Sequence, residues 1–196
     1  MDVMVLEEAV LRTKVKISRE AMAVVVGEKV TKVLEQATDK LGAFSHGYTY
    51  SGHPLGAAAA NAVLDIVERE DLPGNAARTG GHFQQCLREA FADHPLVGEV
   101  RGVGLMAALE FVADKGRKQR FDPALKIGAR VSAAALEGGL IARAMPHGDI
   151  LGLSPPLVVT PAECEEIVAI AKRAVDKVTD ELRREGHEQL LAAPAI

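Results

Sequence analysis

The apolar residues of this chain change their spacing at about residue 97, and that change limits what the chain can fold into. Upstream, the stretch from Ala76 to Ala92 carries Phe83, Leu87 and Phe91 at a spacing of four, the repeat of one helical face. Val97, Val100 and Val103, followed by Leu105 to Val112, read as two strands around an Arg101-Gly102 turn. DKGRKQR (114–120) reads as a charged, hairpin-like loop. Asp122-Pro123 then starts a helix, with Asp as cap and Pro at the first position. Gly138-Gly139 stops it, since glycine suits the left-handed conformation that ends helices. Leu140–Ala144 and Ile150–Leu153 read as two more short strands. Thr160-Pro161-Ala162-Glu163 is a capping box, and the helix after it buries Ile167, Ile170, Ala174, Val175 and Val178. The order strand, strand, helix, strand, strand, helix predicts an α+β layer, with helices on one face of a small, mostly antiparallel sheet.

The first part of the chain is less regular. Residues 1–22 show no clear period, Ala23–Val26 reads as a short buried strand, and Glu28–Ala37 as a helix with Val30, Val33 and Leu34 on one face. Gly42–His53, GAFSHGYTYSGH, is a loop whose hydroxyls and aromatic rings suit specific contacts better than a plain linker would. Pro54 opens a helix over LGAAAANAVLDIVERE, whose alanines allow close packing against another element. Asp65, Glu68 and Glu70 form a solvated face of that helix.

Composition narrows the function classes. The chain has 196 residues, 48% of them apolar and 26% charged, which is ordinary for a globular protein able to bury a core. A formal net charge of −4 gives no reason to expect nucleic acid or an anionic membrane as partner. Cys86 and Cys164 are far apart and share no motif, so both read as buried free thiols, with no metal site expected. The chain opens without the basic start and apolar middle of a signal peptide, and no apolar run reaches membrane-spanning length, which makes the cytoplasm the expected location.

Two segments contain groups suited to binding. In the 42–53 loop, Thr49 offers a hydroxyl donor in a glycine-containing turn just ahead of a helix, a setting that suits a phosphate dianion. The plainer alternative is that Thr49 caps the loop or the helix at Pro54. Gly47 permits a close backbone approach and Tyr48 can line a site, while His46 and His53 hold the loop by hydrogen bonds. Arg143, in LIARAMPHGDILGLSPPL, has the planar fork that grips a carboxylate through two parallel hydrogen bonds, with Gly148 giving its segment room to move. The alternative there is a surface arginine beside a strand edge. Arg101 reads as structural, pairing with Glu99 or with carbonyls, and Ser154-Pro155-Pro156 as a rigid support for the Arg143 segment.

Four segments together resemble the class III aminotransferases, or ω-transaminases. They are FSHGYTYSGHPLGAAAANAVLDIVERE (44–70), VGEVRGVGLMAALEFV (97–112), GGLIARAMPHGDILGLSPPLVVTPAE (138–163) and the helix that follows. HGYTYSGHP, RGVGLMAALE and an Arg ahead of LSPPL are the specific parts, and the resemblance covers about Ala23 to Arg184. It implies the C-terminal small domain of a fold-type I pyridoxal-phosphate enzyme plus a fragment of the large domain. Residues 1–53 would then be the large-domain remnant with its interface loop, 54–185 the linking helix and small domain, and 186–196 a flexible tail. The implied reaction moves an amino group between an amino donor and a 2-oxo acid such as pyruvate. The implied cofactor is pyridoxal 5'-phosphate, with Thr49 reaching its phosphate across a dimer interface and Gly47 and Tyr48 beside it. Arg143 falls at the position of an arginine that binds the substrate carboxylate and swings away for other substrates.

Other parts of the family pattern are not found. The family's Schiff-base lysine lies shortly before an apolar strand like Ala23–Val26, and counting back lands nearest Arg12. Lys14 and Lys16 are candidates only with a local shift of register. No phosphate loop of Gly-Ser/Thr-Glu-Ala type, no aromatic placed to stack on the cofactor ring and no strand-end Asp for its nitrogen are found. The expectation is a truncated chain, inactive alone and needing a separate large-domain chain or a homodimer. A non-catalytic remnant or interaction module, and a related racemase, aminomutase or decarboxylase, are the competing readings.

Overall fold

In a computed structural model, the structure describes residues 27–42, 47, 49 and 51–187. The expected strand at Ala23–Val26 lies outside them, as do Lys14, Lys16, His46 and Tyr48. The chain divides into two compact units, residues 1–70 and 71–196. No helix among the described residues is long and apolar enough to cross a membrane.

In the first unit, α1 spans Glu28–Leu41 and α2 spans Pro54–Arg69. Pro54 stands at the first position of α2, where its missing N–H costs nothing. Neither helix has a buried residue, and Leu55 and Val63 of α2 are 74% and 56% exposed. An alanine-rich helix that leaves such side chains in water has a face to cover. The isolated chain is therefore expected to self-associate at high concentration. Light scattering that shows a clean monomer there would count against it.

The second unit matches the α+β expectation. Its elements are α3 (Leu72–Phe91), β1 (Val97–Val103), β2 (Met106–Phe111), α4 (Ile127–Glu137), β3 (Arg143–Ala144), β4 (Ile150–Leu153) and α5 (Pro161–Arg184). The four strands form one antiparallel sheet in the order β1-β2-β4-β3. The sheet's inner face, with Leu109, Phe111, Leu151 and Leu153, joins Phe83, Leu87 and Phe91 of α3, Val131 of α4 and Val175 and Val178 of α5 in one core. The capping box ahead of α5 is complete: the Glu163 N–H donates to Thr160 Oγ1 at 3.3 Å, and the Thr160 N–H donates to Glu163 Oε2 at 2.8 Å. Of the residues expected inward on α5, Ile170, Ala174, Val175 and Val178 are buried and Ile167 is half-buried.

Four local expectations are corrected. Helix α3 begins at Leu72 rather than Ala76, because Asp71 takes a left-handed conformation and accepts from the Gly74 N–H at 3.3 Å, with Pro73 inside the first turn. The hairpin turns at Gly104-Leu105, with Val103 paired to Met106, and not at Arg101-Gly102. Gly104 alone of these four has a positive φ, +55°, which a two-residue hairpin turn favours. Asp122-Pro123 makes only a 3-10 turn, Pro123–Leu125; Lys126 is left-handed at φ 49°, and α4 starts after it. The strand expected over 140–144 is confined to Arg143–Ala144.

Val97 and Val100 are three apart, a spacing at which an unbroken strand would point them to opposite faces. A bulge at Gly98 supplies the extra residue. It lets Val97 pair with Phe111 and Val100 with Leu109, both toward the core.

His94, just past α3, is nearly fully buried. Its Nδ1 accepts from the Leu96 N–H at 3.2 Å, and its Nε2 lies 3.1 Å from Asp176 Oδ1. The Leu96 bond places the neutral ring's proton on Nε2, toward Asp176. Burial outweighs the pull of Asp176, and with Lys172 and Lys115 nearby it lowers the His94 pKa. The unfolded chain then binds this proton more readily than the folded one. Stability is full above the ordinary histidine value of about 6.5 and falls as pH drops through the lower folded value. Urea midpoints measured from pH 8 to pH 5 should fall less steeply in His94→Gln than in the parent. Parallel curves would remove His94 as the cause.

Candidate active site: a carboxylate grip and a phosphate loop

Arg143 belongs to the second unit and lies on the open face of the sheet. Residues paired across neighbouring strands share a face. Arg143 pairs with Gly152, Gly152 with Ala108, and Ala108 with Arg101, so one row crosses all four strands. Two arginines thus end a row whose middle residues are small, with Met145 Sδ 3.4 Å from where a Cβ on Gly152 would stand. Arg101 is engaged, held by Glu99 at 2.9 Å and by Glu110, and hydrogen bonding to Glu110 first raises its already high pKa. This pairing matches its structural reading, although it stands inside β1 rather than at a turn. The Arg143 side chain is exposed, and no carboxylate among the described residues pairs with it. An exposed guanidinium with no carboxylate partner can take an incoming carboxylate through two parallel bonds.

The backbone around Arg143 is tied to the rest of the unit. The Met145 N–H donates to the Ile150 carbonyl at 2.9 Å, and the Phe111 N–H to the Asp149 carbonyl at 2.8 Å. Asp149 Oδ1 accepts from the Gly128 N–H at 2.9 Å, capping α4 from twenty-one residues away. The Ser132 hydroxyl donates to the Ala142 carbonyl at 2.6 Å. Behind the Ser154-Pro155-Pro156 segment, Asn75 Nδ2 donates to the carbonyls of Leu157 at 2.7 Å and Val159 at 3.1 Å. Gln84 Nε2 donates to the carbonyls of Gly104 at 2.9 Å and Met106 at 3.0 Å, holding the hairpin turn. Sequence reasoning missed all four of these polar side chains. The one available signal was Gln84, a polar residue next to Phe83 on the buried face of α3.

Thr49 belongs to the first unit, where it sits in a turn and is exposed. The cap of α2 is His53, whose Nδ1 accepts from the Gly56 N–H at 3.4 Å, which accords with the loop-holding part expected of it. The helix-entry task is thereby performed without the Thr49 hydroxyl. Among the described residues, a Cβ at Gly47 would meet Ser51 Oγ at 3.8 Å, an ordinary contact. Tyr48 lies outside the described residues. The free thiols Cys86 and Cys164 belong to the second unit, where Cys164 is buried and Cys86 half-buried against His82, with burial raising both pKa values.

The family model for class III aminotransferases matches residues 20–175, a span that begins after Lys14 and Lys16. An uncharacterised aminotransferase of Sinorhizobium fredii is 69% identical over 166 residues, covering 85% of this chain and 36% of that protein. The diaminobutyrate–2-oxoglutarate transaminase of Halomonas elongata is 61% identical over 163 residues, covering 83% and 35%. A solved transaminase obtained by directed evolution through ancestral reconstruction superposes with a TM-score of 0.76 at 73% identity, covering 80% of this chain and 34% of that one. The chain thus spans about a third of the length of the relatives it matches.

Proposed function

This chain belongs to the class III aminotransferases, pyridoxal-phosphate enzymes, and from that premise we propose that it forms the substrate-gripping C-terminal part of a transaminase. The reaction moves an amino group from an amino donor to a 2-oxo acid. The observation that carries this reading is Arg143, exposed on the open sheet face and unpaired among the described residues. The two substrates in the Halomonas relative's name, diaminobutyrate and 2-oxoglutarate, both bear carboxylates, the group such an arginine holds.

Arg143 orients the substrate by its carboxylate, which leaves the amino or oxo carbon presented toward the cofactor. Thr49 and the backbone beside Gly47 hold the cofactor phosphate, and Tyr48 lines the same loop. Pyridoxal phosphate, when bound, supplies the electron sink for the carbon from which a proton is removed. Contacts to its ring, and the lysine that carries it, belong to the part of the fold that the chain does not span. Residues 1–53 are then the edge of that larger domain, 54–185 the linking helix and small domain, and 186–196 a tail. The exposed apolar face of α2 suits a homodimer in which each protomer's 42–53 loop serves its partner's site.

The test has two arms. Pyridoxal phosphate and then borohydride are added to this chain alone, and peptides are mapped; no stoichiometric label is expected on Lys14 or Lys16, and such a label would overturn the division of labour. In the enzyme assembled with the remaining two-thirds of the fold, amino transfer should appear. There Thr49→Ala should weaken cofactor retention by about ten- to a hundredfold for every substrate alike, the loss of one hydrogen bond to a charged group. Unchanged cofactor affinity would return the loop to a purely structural part, and no transfer at all would favour a non-catalytic module.

A further inference from the structure

We infer that Ser132 is a positioning residue for Arg143, setting the direction from which the guanidinium meets a substrate carboxylate; this rests on the carboxylate-binding reading of Arg143. Strand β3 is two residues long and stands at the edge of the sheet. Its two pairs with β4, Arg143 to Gly152 and Ala144 to Leu151, secure it on one side only. So short an edge strand leaves the peptide ahead of Arg143 free to rotate unless something else holds it.

Helix α4 holds it. The Ser132 hydroxyl donates to the Ala142 carbonyl at 2.6 Å. That carbonyl and the Arg143 N–H belong to one planar peptide, so fixing the oxygen fixes the plane from which the Arg143 Cα and side chain depart. The far foot of the same hairpin is tied to the same helix through the Gly128 N–H and Asp149 Oδ1. Pro146, His147 and Gly148 remain exposed between the two ties. With the backbone held, reorientation falls to the Arg143 side chain.

The choice of serine agrees with this task. Ser132 lies inside α4, where alanine is the better helix former and a serine hydroxyl ordinarily bonds a carbonyl of its own helix. Here it reaches out of the helix to a residue ten positions on. Neither the helix nor the core requires a hydroxyl at this half-buried position.

Ser132→Ala is suited to the test because it raises helix propensity and leaves the fold intact. In this chain, amide hydrogen exchange at residues 143–145 should accelerate about tenfold, with α5 unchanged, reporting the lost hydrogen bond. In the assembled enzyme, KM for carboxylate-bearing substrates should rise about three- to tenfold, with kcat and simple amines unaffected. Ser132→Thr, which keeps the hydroxyl, should stay near the parent in both measurements. Unchanged exchange overturns the inference, and so does a KM rise shared equally by both substrate classes. Arg143→Ala, run alongside, separates the two claims. If it discriminates between substrate classes and Ser132→Ala does not, only the positioning role falls. If Arg143→Ala fails to discriminate, the carboxylate reading falls, and Ser132 is reduced to a tether of the strand.

Discussion

Arg143→Ala in the assembled enzyme should lower kcat/KM for carboxylate-bearing substrates by about a hundredfold or more and leave simple amines nearly unchanged. Each hydrogen bond to a charged group contributes about 1.5–3 kcal/mol, and a forked guanidinium grip makes two. The side chain has no carboxylate partner among the described residues, so its removal strands no buried charge. The loss should therefore report the substrate contact and little else. Arg143→Lys should recover only part of the activity, because an ammonium keeps the charge and loses the fork. Steady-state rates with one substrate of each class decide the matter: equal losses in both classes would end the assignment.

Phe83→Ala should destabilise the second unit by about 3–5 kcal/mol, the usual range for truncating a buried phenylalanine. Phe83 is 0% exposed and belongs to the core shared by α3, the inner sheet face and α5. A domain's whole stability is about 5–15 kcal/mol, so this one change removes a large share of it. Thermal unfolding followed by circular dichroism should show a drop of roughly 10–20 °C. A midpoint within a degree or two of the parent would mean that the α3 face packs otherwise than described.

Elements with their own punctuation were legible in the sequence. Pro54 opens α2, the Thr160–Glu163 box opens α5 and Gly138-Gly139 closes α4; each signal lies within a few residues of the boundary it sets. The spacing of Phe83, Leu87 and Phe91 named the buried face of α3 for the same reason, since one face repeats every three to four residues. Boundaries set by single backbone conformations were not legible. The left-handed Asp71 and Lys126 move the starts of α3 and α4; lysine seldom takes that conformation, and aspartate, though enriched there, does so at only a few of its positions.

For the site, residue identity alone supplies the groups: a forked cation at Arg143, a hydroxyl at Thr49 and a glycine at Gly47. Their surroundings come from packing between distant segments. The row Arg143, Gly152, Ala108, Arg101 exists because Ala108 and Gly152, forty-four residues apart in the chain, come into register, and register is a property of the sheet. The same holds for Ser132 on Ala142, Asp149 on Gly128 and Asn75 on Leu157, where donor and acceptor meet across ten, twenty-one and eighty-two positions. A hydrogen bond needs about 3 Å and a direction, and for partners that far apart neither is encoded locally; both arise once the core has packed.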